Sequence, residues 1–235
     1  MELKIQDIAE LLEISEREVQ KMIKGNKIPY HKIGPQYRFN KAEISDWVVI
    51  NNIHVSDKIL NLNISKLPAF VGELLRKGGI YKEIPGDSMN EIILNVIQLL
   101  NLPENTNRTE LATAILQREE LMHTAIGRGI AIPHPRNPIM SEVEDESIAL
   151  CRLAKPLDYN ALDGKSIHSL FILLSTTPKR HLEMLSKLSF LCQQDEFISL
   201  LEQKADSETL LAYIDSREKE SKELHRNKEN SKNGL

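Results

Sequence analysis

The chain has little with which to staple itself, cross a membrane or hydrolyse a substrate. Its 235 residues include only two cysteines, Cys151 and Cys192, far apart and without C-x-x-C spacing. They fit reduced core residues and exclude both a disulfide framework and a cysteine zinc site. No apolar run approaches the roughly 20 residues of a spanning helix. The longest stretches, Ile92 to Leu100 and Ser169 to Leu174, are interrupted or too short. No signal-peptide pattern is present, so a cytoplasmic protein without a membrane partner is expected. There is no G-x-S-x-G elbow for a serine hydrolase. There is no internal repeat.

What is present is unevenly distributed. The net charge of −4 conceals an acidic stretch, 67–215, at −7 and a basic cluster within 17–41, where seven Lys and Arg face one Glu. A local basic cluster is the electrostatic footprint of phosphate-backbone binding. Ile5, Ile8, Ala9, Leu11 and Leu12 have helical apolar spacing. Ser15 and Glu18 form a capping box that opens a second helix, with Val19, Met22 and Ile23 inward and Gly25 at its end. Residues 28–33 and 37–39 read as short strands joined through Gly34, Pro35 and Gln36. Asn40 with Glu43 then caps a third helix carrying Ile44, Trp47 and Val48.

The helix–turn–helix, the Lys-x-x-x-Ile-Pro segment and the hairpin ending Tyr37-Arg38-Phe39 resemble the excisionase/MerR-like winged helix–turn–helix over about residues 3–50. The resemblance implies DNA as a partner, with the second helix in the major groove and the hairpin on the flanking backbone. Arg17 and Gln20 on its outward side suit bidentate bonding to base edges. Lys21, Lys24, Lys32 and Arg38 suit phosphates. Glu16 and Glu18 depart from the small or basic residues usual there.

The most informative segment lies further on. His134 stands between Pro133 and Pro135, after Gly127 and Gly129. Proline fixes its own φ and pushes the preceding residue out of the α region. An extended, fixed imidazole is therefore expected. The glycines would let backbone N–H groups approach an anion. Such an arrangement suits a histidine that accepts a phosphoryl group.

The run Ile126-Gly127-x-Gly129-Ile130-Ala131-Ile132-Pro133-His134 resembles the active-site signature of the IIA component of the bacterial sugar phosphotransferase system. The branch is the fructose/mannitol type, which includes the nitrogen-regulatory proteins. Leu116-Gln117-Arg118-Glu119-Glu120-Leu121 resembles the helix leading into that signature. His181-Leu182-x-x-Leu185-x-x-Leu188 resembles its second histidine, and Gly78-Gly79-Ile80-Tyr81-x-x-Ile84-Pro85-Gly86 its opening. The resemblance implies that His134 is phosphorylated by a phosphohistidine on HPr or on a nitrogen-branch counterpart, with Arg118 and His181 flanking the phosphate.

The chemistry is consistent with those roles. A neutral imidazole nitrogen attacks phosphorus, whereas a protonated one cannot. Phosphoryl transfer needs in-line positioning and compensation of charge on the equatorial oxygens. The Arg118 guanidinium can bind two of them and keeps its charge. His181, at a helix start, can donate to a third where the dipole favours an anion. Thr124 is a further candidate donor. Ala125 and His123 stand where glycine and a small residue are usual, and His123 reads as an exposed loop histidine. Arg136 is free to meet phosphate or an acidic partner surface. A zinc site from His134, His181 and His123 is not favoured, because no Cys or carboxylate has ligand spacing. No metal and no other cofactor is expected.

The expected architecture is an α/β IIA-type domain, a mixed sheet flanked by helices, preceded by a small winged helix–turn–helix. The divisions are 1–50 for the head, 51–66 for a linker that could hold a short helix, 67–215 for the IIA domain and 216–235 for a charged tail, disordered or a frayed helix. Helices are expected over 67–75, 89–100 and 108–120, and strands over 147–153 and 167–174. The expected role is a phosphorylation-responsive regulator. Two rivals remain at this point. One is a transport phosphocarrier that passes phosphate to a separate sugar-specific IIB. The other is a DNA-binding protein whose IIA-like domain only senses or dimerises. Self-association as a homodimer is compatible with a winged head.

Overall fold

The computed structural model describes residues 2–51, 69–159, 161 and 163–232. The expected linker and the start of the expected 67–75 helix therefore lie largely outside the described residues.

The head begins with a two-residue strand, β1 (Glu2–Leu3), that has no sequence signature. Helix α1 (Ile5–Leu12) buries Ile8, Ala9 and Leu12. In α2 (Glu16–Lys24) the capping box forms as expected. The Glu18 N–H donates to Ser15 Oγ at 3.3 Å, and the Ser15 N–H donates back to Glu18 Oε2 at 2.9 Å. Strands β2 (His31–Ile33) and β3 (Gln36–Asn40) make the wing, with Gly34 at φ 59 in its turn. β3 is central, antiparallel to both β1 and β2. Helix α3 (Lys41–Ile50) starts on the Asn40 side chain, which accepts from the Ala42 N–H at 2.9 Å. Ile8, Val19, Ile28, Phe39, Ile44 and Trp47 form the head's own core.

The second domain is a five-stranded mixed sheet between helical layers. Helix α4 (Val71–Gly78) leads into β4 (Ile80–Ile84). Next come α5 (Met89–Leu99) and α6 (Arg108–Leu121), capped by Ser88 and Asn107. The hairpin β5 (Ala125–Gly127) and β6 (Ile130–Ala131) precedes the long strands β7 (Ser147–Leu157) and β8 (Ile167–Leu174). Helices α7 (Pro178–Cys192), α8 (Asp195–Glu202) and α9 (Ser207–Lys232) finish the chain. The strand order is β4-β7-β8-β6-β5. Both faces of β7 and β8 are covered, so both strands read as continuous apolar runs. One face packs with α4, α7, α8 and α9 around Leu150, Phe171 and Leu185. The other packs with α5 and α6 around Ile93, Leu111 and Ile172.

Residues 216–232 continue α9 as helix. Its early part is bound into the domain. Glu218 accepts from the Val71 N–H at 2.7 Å, and Asp215 forms an ion pair with Arg76 at 2.5 Å. Glu218, which also accepts from the Gly72 N–H at 3.4 Å, supplies from a distance the cap that Phe70 cannot give α4. Cys151 and Cys192 are free and buried, and burial pushes the Cys151 thiol up to about 12. No helix among the described residues is long and apolar enough to cross a membrane.

Candidate functional site

His134 lies just beyond β6, where Pro133 is held by its carbonyl accepting from the Leu173 N–H at 3.2 Å. The imidazole is fully buried. Its Nδ1 lies 2.7 Å from the Ile132 carbonyl. A carbonyl can only accept, so Nδ1 carries the proton. In the neutral ring Nε2 therefore holds the lone pair. His181, in the first turn of α7 behind the Thr177 cap, brings its ring to 4.8 Å from that of His134. Arg118, at the C-terminal end of α6, is buried and donates to the Met122 carbonyl at 2.9 Å. Its Nε has no hydrogen-bond partner among the described residues. Its charge is felt at His134. The two histidines thus converge, with Arg118 near enough for its charge to act on His134.

A fourth member comes from the other domain. Asp46 of α3 places Oδ1 2.9 Å from His181 Nε2 and Oδ2 3.2 Å from His134 Nε2. It is almost wholly buried. Helix α3 lies across α7 to make this contact. Glu43, one turn earlier on α3, pairs with Arg136 at 2.9 Å and with His31 Nε2 at 2.8 Å. The Glu43 N–H also donates to Asn40 Oδ1 at 3.4 Å, within the cap that opens α3. Arg136 meets an acidic surface, and that surface is the head. Met122 packs its side chain against the head's core.

A buried carboxylate costs several kcal/mol of desolvation unless it is paired. Burial pushes the Asp46 carboxyl up, but the charges of His181 and His134 and their hydrogen bonds outweigh it and hold the group well below the usual carboxylate range. At His134 burial dominates and pushes the imidazole down, against the pull of Asp46 and with the push of His181 and Arg118. The two contacts of Asp46 therefore differ in kind. His181 Nε2–H donates to a carboxylate oxygen. His134 Nε2, when neutral, turns a lone pair toward the other oxygen, which repels unless a proton lies between them.

Sequence spacing did not single out Asp46 or Glu43. The usable signal was two acids three residues apart on one helix of a basic head. No carboxylate has ligand spacing along the sequence, yet tertiary contact brings Asp46 to the two histidines. One ligand atom each of Asp46, His134 and His181 lie within 4.8 Å of one another, a donor set a divalent ion could share. His123 is outside it, exposed and stacked on Tyr159 at 4.2 Å.

Two other expectations are corrected. The Thr124 hydroxyl donates to Glu119 Oε2 at 2.7 Å, so its proton is committed and it is not a free donor. Its carbonyl accepts from the Ile132 N–H at 3.1 Å, which places it beside the signature loop. The glycines do not face the imidazole. At φ 83 and 76 they form the β5–β6 turn, where the Arg128 N–H binds the carboxylate of Asp163 at 2.6 Å. A Cβ on Gly129 would meet the His168 ring at 2.3 Å. The anion at this turn is a side chain of the same domain.

In the head, Arg17, Gln20, Lys21, Lys24 and Lys32 are exposed. Arg38 is half-buried, bound to the Tyr37 carbonyl and the Gln36 side chain. It acts within the wing as well as on its surface.

Residues 73–217 match the family described as phosphoenolpyruvate-dependent sugar phosphotransferase system, EIIA 2. The chain belongs to that family. Residues 2–48 match a helix-turn-helix domain. The EIIA domain is 30% identical over 146 residues to a nitrogen regulatory protein of Pseudomonas aeruginosa, covering 60% of this chain and 92% of that protein. It is 32% identical over 152 residues to the fructose-specific EIIABC component of Bacillus subtilis, covering 63% of this chain. Only 24% of that larger protein is spanned. Among solved structures, the nitrogen regulatory protein IIA-Ntr of Neisseria meningitidis superposes with a TM-score of 0.53 at 26% identity, over 62% of this chain and 99% of its own. The EIIA fold is thus established independently of the head.

Proposed function

We propose that His134 accepts a phosphoryl group on Nε2 from a phosphohistidine of HPr or a nitrogen-branch counterpart, and that the chain is a regulator whose head binds DNA. The observation that carries the first part is the commitment of Nδ1 to the Ile132 carbonyl, which leaves Nε2 as the nucleophilic nitrogen beside His181 and Arg118. In the transfer, the donor's P–N bond breaks and its electron pair stays on the donor imidazole. The Nε2 lone pair forms the new P–N bond, and Nδ1 keeps its proton. Once Asp46 has left it, His181 Nε2–H, together with the Arg118 guanidinium, can meet the equatorial oxygens. DNA binding is supported by the helix-turn-helix match and by the exposed Arg17, Gln20, Lys21 and Lys24 on α2. The regulatory reading is favoured over sugar transport through a separate IIB by the acidic face of α3 lying on the two histidines. A carrier whose head were a simple tether has no use for that contact.

Incubation with phosphoenolpyruvate, enzyme I and HPr is expected to add one acid-labile phosphate to the full chain and none to His134→Ala, read by intact mass. No phosphate from either donor branch would exclude the reading.

A further inference from the structure

We infer that the head is a built-in competitor of the phosphodonor: α3 occupies the face around His134, so docking of the head and phosphorylation of His134 exclude one another. This rests on the phosphoacceptor reading and names its regulation.

Three observations support it. First, the Asp46 carboxylate stands where an incoming phosphoryl group must stand. Its two oxygens contact Nε2 of both histidines, at 3.2 and 2.9 Å. An anionic, oxygen-bearing group thus already uses the donors that would serve phosphate. Second, the closed state removes the nucleophile. His134 is fully buried, and no protein donor can reach Nε2 in line while α3 covers it. The contact with Oδ2 is also favourable only with a proton on Nε2 or Oδ2, and a protonated Nε2 cannot attack. Third, the docked face is built as an interface. Glu43 meets Arg136 across the boundary, and Met122 of the EIIA domain inserts among the head's apolar side chains.

The consequence runs in both directions. A donor must displace α3 before transfer. After transfer, a phosphate of about −1.5 to −2 charge sits where Asp46 was, and like charge keeps α3 away. Phosphorylation thereby releases a head whose α2 and wing are then positioned by a tether rather than by the EIIA surface. The occupant of the face is a segment of this chain, and its charge is complementary to the imidazoles and to Arg136.

The test uses the full chain with phosphoenolpyruvate, enzyme I and HPr. Wild type is compared with Asp46→Ala, which removes the carboxylate, and Met122→Glu, which disturbs docking from the EIIA side and leaves the head's sequence intact. Both variants should take up phosphate about tenfold faster than wild type, as expected when a mostly covered site becomes mostly open, and reach the same single phosphate per chain. Amide exchange in residues 43–48 of wild type should rise on phosphorylation and stay unchanged for His134→Ala in the same mixture. Equal uptake rates in all three proteins, with α3 exchange indifferent to phosphate, would overturn the competition and leave the phosphoacceptor reading standing. Absence of phosphate in every protein would overturn both. A chelator that opens wild type as fully as Asp46→Ala would overturn the direct carboxylate contact by showing a bound divalent ion in its place.

Discussion

Two neighbouring residues of α7 hold two buried carboxylates, and they hold them differently. Arg180 grips Glu146 of its own domain through Nε at 2.8 Å and Nη2 at 2.6 Å, with the Thr176 N–H adding a bond at 3.1 Å. His181 grips Asp46 of the other domain through a single nitrogen at 2.9 Å. The guanidinium is charged at every accessible pH and offers a planar fork. The imidazole offers one donor and can lose its charge. The first pair lies within the EIIA domain, whereas the second joins that domain to the head. One helix turn thus carries a structural anchor beside a contact that function can break.

That contrast can be challenged directly. Glu146→Ala removes the nearest carboxylate partner of a buried arginine and is expected to lower the stability of the EIIA domain by about 3–5 kcal/mol, read as a lowered urea midpoint. Acid should act on the same pair. Burial raises the Glu146 pKa, but the bonds and charge of Arg180 and Thr176 outweigh it, and the net direction is down. Its contribution is therefore complete above the unfolded carboxylate value and is lost as pH falls through the lower folded value. Thermal melts from pH 7 downward should show a loss beginning near pH 4.5 that is absent in Glu146→Ala. Ser15→Ala, which touches neither pair, should cost the head about 1 kcal/mol through its lost cap, seen as faster amide exchange in α2. The smallest effect is expected for Asp46→Ala on the EIIA domain itself. A change in its urea midpoint equivalent to more than about 0.5 kcal/mol, beyond an ordinary surface substitution, would place Asp46 with the anchors.

The same contrast separates what the sequence makes legible from what it does not. Caps are local, so Ser15, Gly25 and Asn40 mark helix ends close to those observed. The long strands β7 and β8 stand out as apolar runs because both their faces are covered. The two-residue β1 has no period to read and exists through its pairing with β3. Within the site, His134, Arg118 and His181 could be placed by motif. Asp46 could not, since 88 and 135 residues separate it from its two partners. The glycine turn was read as a seat for a ligand anion, but Asp163 fills it from 35 residues away. In each failure a polar group found its partner through tertiary contact, which spacing along the chain does not encode.

Where the chain re-enters the EIIA domain, the Ala69 N–H donates to Glu183 at 2.8 Å and the Ala69 carbonyl accepts from Lys187. Both partners lie on α7, two and six residues beyond His181. The segment that joins the domains is therefore anchored on the very helix the head covers. Under the competition inferred above, α3 acts as an intramolecular ligand of the histidines, whose effective concentration does not depend on the amount of protein. Making more of the protein cannot strengthen that competitor, and diluting it cannot weaken it. A phosphodonor in the same cell faces a fixed threshold, so occupancy of His134 would report the phosphorylated fraction of the donor pool rather than the abundance of the protein that senses it.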